Sequence, residues 1–256
     1  MNHRWFNVLG ILVLLIFSPL VRSEVLQTCG GNNEWPPSSY FSKQVKGRVD
    51  GYSVDVLRAA LAGSNFQVNV VLLPWARCLA QVKTGNGMTI AMGAAFSDKR
   101  AEIYDLSRPY LKLTPAYHFW HSHFPLGLQI NNGAQFANQT VCILHGANPG
   151  PFGLVTGGTD NGATNYEALI GKIARYRCDV LAEYMEVIHG FKRLGHPYVS
   201  LPQLRSMPMT WQPRIPIHFL VSRNHPSTKT ITALLNRRLA EMEQSGKLES
   251  LLKQHM

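Results

Sequence analysis

Hydrophobic residues along the first half of the chain switch between a helical spacing and alternation with polar residues. Val54, Leu57 and Leu61 recur at helical spacing, and the segment starts at Ser53, a residue type suited to cap a helix. The two patterns then alternate and predict a strand at 66–73, a short helix that ends before Gly85, and a strand at 88–92. This order predicts a largely parallel sheet covered by helices.

A second α/β set follows residues 110–120, an apolar and extended segment without a helical period. Its predicted elements are a strand at 141–144, a helix at 166–176, a strand at 179–182 and a helix from Tyr184. The proline-rich stretch 202–216 predicts an extended crossing. A strand at 216–222 and an amphipathic helix around 231–242 then complete an α/β chain.

The first residues have the three parts of a secretory signal peptide. A basic start at 2–4 precedes an apolar run at 8–17, and Val21-Arg22-Ser23 supplies a cleavage site. The apolar run is well short of the ~20 residues that a transmembrane helix needs. We therefore expect residues 1–23 to be removed and the mature protein to be exported and soluble.

Composition and charge narrow the class of protein. The chain has 256 residues, of which 45% are hydrophobic and 16% charged, which excludes wholesale disorder. A formal net charge of +10 permits nucleic acid, an anionic membrane or an acidic ligand as partner. Because the basic residues are dispersed and no recognition motif occurs, nucleic acid ranks last and is not predicted as a partner.

Four cysteines, Cys29, Cys78, Cys142 and Cys178, form an even set in an exported chain. Three pairings are possible, and no Cys-x-x-Cys spacing indicates zinc or a redox site. If the two halves are separate lobes, pairing 29 with 78 and 142 with 178 is the one arrangement that leaves them free to move. We prefer that pairing; the alternative is that some cysteines remain buried thiols.

Seven segments, occurring in order over nearly the whole mature chain, resemble family-3 bacterial extracellular solute-binding proteins, the periplasmic amino-acid-binding type of ABC import systems. They are Glu34-Trp35-Pro36-Pro37, Gly51-Tyr52-Ser53-Val54-Asp55-Val56, Ser97-Asp98-Lys99-Arg100, Leu106-Ser107-Arg108-Pro109-Tyr110, Leu144-His145-Gly146, Arg177-Cys178-Asp179-Val180 and Ser245-Gly246-Lys247-Leu248. The resemblance implies a type II fold of two α/β lobes, hinged by two crossover strands and closing on a ligand. Lobe 1 would comprise 24–114 and 216–256, and lobe 2 would comprise 115–215. It also implies a periplasmic monomer that serves a membrane permease or a sensor.

Arg100 is the strongest candidate for ligand binding. Ser97 is predicted to cap a helix, which places Arg100 in its first turn, where the helix dipole disfavours a cation and favours an anion. A bidentate guanidinium–carboxylate pair suits that position. In the resembled family the arginine of this motif clamps the ligand α-carboxylate. The alternative is a surface ion pair with Asp98 or Glu102.

The resemblance implies further ligand contacts in the first lobe. Gly93 and Ala95 stand where the family places small hydroxyl or backbone contacts, so only backbone groups can assist here. Trp35 and Trp75 match positions whose side chains lie against the ligand, and two indoles can sandwich a flat or apolar group or cover a cation. Tyr110, at the end of the Ser-Arg-Pro-Tyr motif, is a weaker candidate. The alternative for the tryptophans is a place in the core.

In the second lobe the resemblance implies that Gly146 and Ala147 offer backbone N–H groups to the ligand carboxylate. Glu183, expected just past the strand at 179–182, stands near the family's acidic partner for the ligand amino group. The alternatives are a plain turn and a solvated surface glutamate. Three histidines, His118, His121 and His123, suggest a metal site, but no added cysteine or carboxylate lies nearby, so neither a metal nor a cofactor is predicted.

These residues are compatible with two functions. The first is a non-catalytic receptor that closes two lobes around a small, carboxylate-bearing solute. The second is a secreted enzyme on the same fold, of the dehydratase type acting on a small cyclic acid, with Glu183 or His145 as general acid or base. Because the sequence contains no catalytic signature, we favour the receptor and predict that the protein is not an enzyme.

Overall fold

The computed structural model describes residues 23–155 and 157–256. Apart from Ser23, the predicted signal peptide lies outside these residues. Across the described ranges, no helix combines the length and apolarity that crossing a bilayer requires. In chain order the strands and α-helices are β1 (Glu24–Gly31), β2 (Tyr40–Phe41), β3 (Val49–Asp50), α1 (Tyr52–Leu61), β4 (Phe66–Leu73), α2 (Trp75–Thr84), β5 (Ile90–Ala95), α3 (Asp98–Ile103), β6 (Tyr104–Leu106), β7 (Leu111–Leu113), β8 (Pro115–Trp120), β9 (Val141–Leu144), β10 (Asp160–Ala163), α4 (Tyr166–Ala174), β11 (Val180–Tyr184), α5 (Met185–Arg193), β12 (Leu204–Pro208), β13 (Ile215–Ser222), α6 (Thr228–Gln244) and α7 (Lys247–His255).

Two mixed sheets organise these elements into the two lobes of a type II binding-protein fold. The first sheet has the order β4-β1-β5-β13-β6, with β7 also paired to β13. The second has the order β10-β9-β11-β8-β12. The strands β13 and β8 run antiparallel to their neighbours, so the sheets are less uniformly parallel than predicted. The reason is that each antiparallel strand enters its sheet from the other lobe.

Both predicted extended segments divide between the two sheets. The segment 110–120 breaks at Thr114, so that β7 pairs in the first sheet and β8 in the second. The segment 202–216 contains β12, which pairs with β8 in the second sheet, before the chain returns to the first sheet through β13. The chain therefore crosses between the sheets twice, at Thr114 and at residues 209–214.

Glu186, in the first turn of α5, ties the two crossings together. Its carboxylate accepts hydrogen bonds from the backbone N–H and the hydroxyl of Thr114, both at 2.8 Å. The guanidinium of Arg214 lies 3.5 Å from the same carboxylate and donates to the carbonyl of Lys112 at 2.6 Å. One carboxylate thus contacts both strands that connect the lobes.

The predicted cap of α1 is wrong. The helix begins at Tyr52 with Gly51 as its N-cap, at a φ of 136°, and a Cβ atom on Gly51 would clash with the carbonyl oxygen of Ser38. Ser53 lies inside the helix, and its hydroxyl hydrogen-bonds to Ser38 and to the hydroxyl of Tyr110. The close approach of the 37–39 loop therefore demands a glycine where the sequence suggested a serine cap.

Other boundaries move by a few residues. The strand predicted at 88–92 runs from Ile90 to Ala95, and the helix predicted at 166–176 ends at Ala174, before Tyr176 adopts a φ of 57°. The strand predicted at 179–182 extends to Tyr184, so Glu183 lies within β11 rather than after it.

The cysteines are paired as preferred from the sequence. Cys29 of β1 is joined to Cys78 of α2, and Cys142 of β9 to Cys178, with Cα–Cα distances of 5.8 and 5.9 Å. Each bond links a strand of one sheet to a segment packed on that same sheet. Neither bond restricts movement of one sheet relative to the other.

We expect the double substitution Cys142→Ser with Cys178→Ser to lower the free energy of unfolding by roughly 3–4 kcal/mol, because the bond closes a loop with a sequence separation of 36. Urea unfolding of both proteins, followed by circular dichroism, measures the difference. Equal unfolding midpoints and slopes would contradict the expectation.

Candidate functional site

A cavity of about 150 Å³ lies between the two lobes. At roughly 10–15 Å³ for each water-sized position, it has room for about ten such positions, comparable to a small metabolite. Its walls come from residues 31–35, Ser39, Trp75, Met92, Gly93, Ala95 and Arg100 of one lobe and from 144–148, Phe152, Tyr166 and 183–184 of the other. Several of these residues follow the carboxyl ends of strands, where α/β folds bind ligands.

Arg100 places a partly buried cation on the cavity wall. The helix α3 begins after Ser97, whose hydroxyl accepts from the Arg100 backbone N–H at 3.3 Å, as the sequence predicted. The guanidinium donates to the carbonyl of Ala95 at 2.6 Å and lies 5.9 Å from the centre of the Trp75 ring. Burial lowers the pKa of Arg100.

The surface ion pair considered for Arg100 is not formed. Among residues 23–155 and 157–256, no carboxylate lies within 4.0 Å of its guanidinium, although Asp98 and Glu102 are on the same short helix. A partly desolvated cation without an acidic partner is costly, and that cost falls when an anion binds. The arrangement is therefore suited to receive an anionic group.

Two tryptophans flank the same cavity. Trp35 lies in a tight loop in which its backbone N–H and carbonyl exchange hydrogen bonds with Ser39 at 2.7 and 3.1 Å. The Trp35 ring meets the ring of Tyr184 edge-on, with centroids 5.7 Å apart. Trp75 opens α2 directly after Pro74. The indoles therefore line the cavity from two different strand ends of the first lobe.

Gly93 and Tyr110 form a support behind the cavity wall. Gly93 lines the cavity with a φ of 75°, and its N–H donates to the hydroxyl of Tyr110 at 3.0 Å. Tyr110 itself does not line the cavity; it is buried, and burial raises its pKa to about 12. Ala95 also lines the cavity, and its carbonyl orients Arg100. Gly93 and Ala95 thus engage their own lobe through these backbone groups.

Gly146 and Ala147 form a turn after β9 on the opposite wall. The Ala147 N–H donates within this turn to the carbonyl of Leu144 at 2.9 Å, which is the plain-turn alternative. Gly146 has a φ of 78° and open space around it, with no atom within 4 Å of where a Cβ would lie. A ligand can therefore approach its backbone closely. His145 is exposed beside the turn and lines the cavity.

Glu183 is buried rather than solvated, with 5% of its surface exposed. Its carboxylate accepts hydrogen bonds from the hydroxyl of Tyr166 at 2.6 Å and from the backbone N–H of Tyr184 at 2.8 Å. Burial raises its pKa to about 7, although these donors act in the opposite direction. The cavity therefore contains a carboxyl group that is poised between its neutral and charged forms near neutral pH.

The three histidines near the crossings do not converge on a common point within the described part of the chain. His118 is buried in β8, and burial lowers its pKa to about 4. Its neutral ring donates from Nε2 to the Glu183 carbonyl at 3.2 Å and accepts at Nδ1 from Ser206 at 2.7 Å. His121 and His123 follow in a single 3-10 turn, where His123 stacks on Tyr176. His118 thus supports the strand segment that carries Glu183.

Sequence reasoning missed several cavity residues. Tyr166 opens α4 beside its N-cap Asn165, and Tyr184 ends β11 beside Glu183. An aromatic residue at a helix start or a strand end was the available signal, but it does not indicate which end faces the cleft. Phe152, which packs on Tyr184 with ring centroids 5.0 Å apart, lies in an irregular segment without a periodic signal.

Two α/β lobes joined by two adjacent crossings, with one cavity shared between them, define the class of two-lobe binding proteins. Many solved structures share this fold, and two of them illustrate the likeness. A histidine kinase sensor domain with similarity to periplasmic binding proteins has a TM-score of 0.73 and 18% identity, covering 92% of this chain and 97% of the other. The arginine-, lysine-, histidine-binding protein ArtJ from Geobacillus stearothermophilus has a TM-score of 0.71 and 14% identity, covering 91% and 95%.

The sequence identifies the family. The model of the bacterial extracellular solute-binding proteins, family 3, matches residues 28–256, and the chain belongs to this family. A curated relative, a probable histidine-binding protein from Neisseria gonorrhoeae, is 29% identical over 83 residues. That match spans 32% of this chain and 30% of the relative.

We expect Glu183→Gln to remove a pH dependence of stability. Because the folded pKa is about 7 and the ordinary value is 4.5, folding favours the protonated acid. The resulting stabilisation is complete below pH 4.5 and is lost as the pH rises through 7. The free energy of unfolding of the native protein should therefore fall by about 3 kcal/mol relative to Glu183→Gln between pH 4.5 and about pH 8. Urea titrations at several pH values measure this, and parallel profiles for the two proteins would contradict it.

Proposed function

We propose that this protein is a periplasmic receptor that closes its two lobes around a small solute bearing a carboxylate, an amino acid or a close relative of one. The observation that carries the proposal is Arg100, a partly buried cation that lines the cavity and has no acidic partner among the described residues. A planar guanidinium recognises a carboxylate through two parallel hydrogen bonds, which makes this group its natural occupant.

The opposite wall suits a second ligand group. When a ligand ammonium approaches, Glu183 loses its proton, because the charged carboxylate then has a cationic partner. The Tyr166 hydroxyl and the Tyr184 N–H already hold this carboxyl in place. Trp35 and Trp75 provide apolar faces for the remainder of the ligand. A ligand with a carboxylate, an amine and a flat or aliphatic side chain matches this set, and Gly146 supplies a further backbone approach.

The relatives suggest which amino acids to test first. The structural neighbour ArtJ binds arginine, lysine and histidine according to its description, and the curated relative is described as a probable histidine-binding protein. All three ligands carry a side chain that is cationic or becomes so on protonation. Two indoles at the cavity wall can cover such a group through cation–π contact. L-Histidine, L-arginine and L-lysine are therefore the first candidates.

Closure is proposed to occur at the two crossings. One rigid lobe comprises 24–114 and 216–256, and the other comprises 115–215. Rotation at Thr114 and at residues 209–214 would act on both crossings together, because Glu186 holds them side by side. The ligand favours the closed form because only that form contacts it from both walls. The closed monomer would then be recognised by an ABC permease or, in a signalling role, by a membrane sensor.

An enzymatic role is the second candidate, and Glu183 is the observation that favours it. A buried carboxyl whose pKa is about 7 can donate or accept a proton near neutral pH. Incubating the protein with each ligand that binds, followed by mass spectrometry of the ligand, separates the two roles. Unchanged ligand supports the receptor. Conversion that Glu183→Gln abolishes would establish catalysis.

We expect Arg100→Ala to abolish amino-acid binding while the protein remains folded. A bound ligand at about a hundredfold excess over Kd stabilises the native protein by about 2.7 kcal/mol, which raises the melting temperature by several degrees. Loss of the charge pair between Arg100 and the ligand carboxylate should weaken binding by roughly 2–5 kcal/mol, which is about thirtyfold to several thousandfold. A thermal-shift screen of the common amino acids measures both effects.

Lys99→Ala is the matched control, because Lys99 is the exposed neighbour of Arg100 on the same helix and its removal changes the net charge equally. This variant should keep the full thermal shift. If Arg100→Ala retained the native affinity, or if both variants lost it to the same extent, the carboxylate clamp would be refuted.

A further inference from the structure

The two lobes make a close backbone contact at Gly190. This residue lies near the middle of α5, which packs on the sheet of the second lobe. A Cβ atom at Gly190 would lie 2.7 Å from the Cβ of Pro36 and 3.0 Å from its carbonyl carbon. Pro36 belongs to the loop of the first lobe that also carries Trp35. A side chain larger than hydrogen fits there only if Pro36 and α5 move apart.

Nothing within α5 itself calls for a glycine at this position. The backbone of Gly190 is not among the positive-φ residues, and alanine is the better helix former at an interior position. The three atoms nearest to the missing Cβ all belong to Pro36. The requirement for glycine therefore comes from the other lobe.

The loop that carries Pro36 meets α5 and its neighbours along a seam between the lobes. The contacts that bring the cavity walls together lie in this seam. Beside Pro36, the ring of Trp35 meets the ring of Tyr184 with centroids 5.7 Å apart. Glu34 faces His196, just after α5, at 3.9 Å. If Pro36 were displaced from α5, Trp35 would move with it, because both lie in the same short loop. The distance between Gly190 and Pro36 thus controls the fit between the two walls.

We propose that Gly190 is a positioning residue that sets how far the cleft closes, by letting Pro36 rest directly on α5. This inference rests on the proposed closing of the two lobes around a ligand. It assigns to Gly190 no contact with the ligand and no role in holding either lobe folded. A methyl group at this position impedes closure while leaving each lobe intact.

Gly171→Ala is the matched control. Gly171 also lies inside a helix of the second lobe, α4, but the nearest atoms to its missing Cβ belong to the guanidinium of Arg175, the flexible end of a long side chain. That side chain can move aside. The same chemical change is therefore made twice in one lobe, once at the seam and once away from it.

The test measures closure in the ligand-free protein. Glu34→Cys with His196→Cys places one thiol on each side of the seam, and the native cysteines, all paired in disulfides, do not react. A short bis-maleimide then joins the two thiols only when the lobes meet. We expect Gly190→Ala to slow crosslinking at least tenfold in this background and Gly171→Ala to change it less than twofold. Melting temperatures of both variants should be no lower than that of the parent.

Adding Pro36→Gly to the Gly190→Ala protein should restore much of the crosslinking rate, because it removes the Cβ that the methyl group meets. Equal crosslinking rates for Gly190→Ala and the parent would overturn the proposal. So would a Gly190→Ala protein that failed to fold, since the methyl group would then clash within a lobe. The crosslinking assay contains no amino acid, and ligand binding is screened separately on the protein that keeps Gly190. A negative ligand screen would count against the proposed function, whereas a negative crosslinking result would count against the role of Gly190.

Discussion

The double crossing between the sheets is the constraint on which the rest of the structure depends. Each lobe has a sheet of its own, and the chain joins the two lobes at Thr114 and at residues 209–214. Glu186 binds Thr114 and lies beside Arg214, so the two connections stay adjacent. In the proposed closing of the lobes, a bridging ligand would act on one rotation, and contacts far from the crossings, such as Pro36 against Gly190, would limit it.

The two walls of the cavity present complementary groups. Arg100 brings a permanent charge whose acidic partner is lacking among the described residues, while Glu183 brings an acid that burial keeps near its midpoint at neutral pH. Each of these groups is stabilised in its charged form by a partner of opposite charge. The receptor proposal combines these two facts, since a zwitterionic ligand satisfies both groups at once and only the closed form provides both.

The sequence predicted the parts of this arrangement that depend on local order. Trp75 was predicted because it follows a strand end, and Arg100 because Ser97 caps a short helix and the segment resembles the family's arginine motif; both residues line the cavity. The prediction failed where a distant segment decides the geometry. Gly51 replaces Ser53 as a cap because the 37–39 loop approaches it, and Tyr110 serves as a support behind Gly93 because of its neighbours in three dimensions. Gly190 had no sequence signal, since its partner lies in the other lobe.

The strand order of the first sheet also has a consequence for how the molecule is assembled. Its strand β13 is inserted between β5 and β6, yet it is synthesised after the whole second sheet. The second sheet is built from one continuous stretch, so it and its Cys142–Cys178 bond can form without waiting for β13. The first sheet lacks its strand between β5 and β6 until β13 has been added. The lobe that begins the chain is consequently the last to be finished.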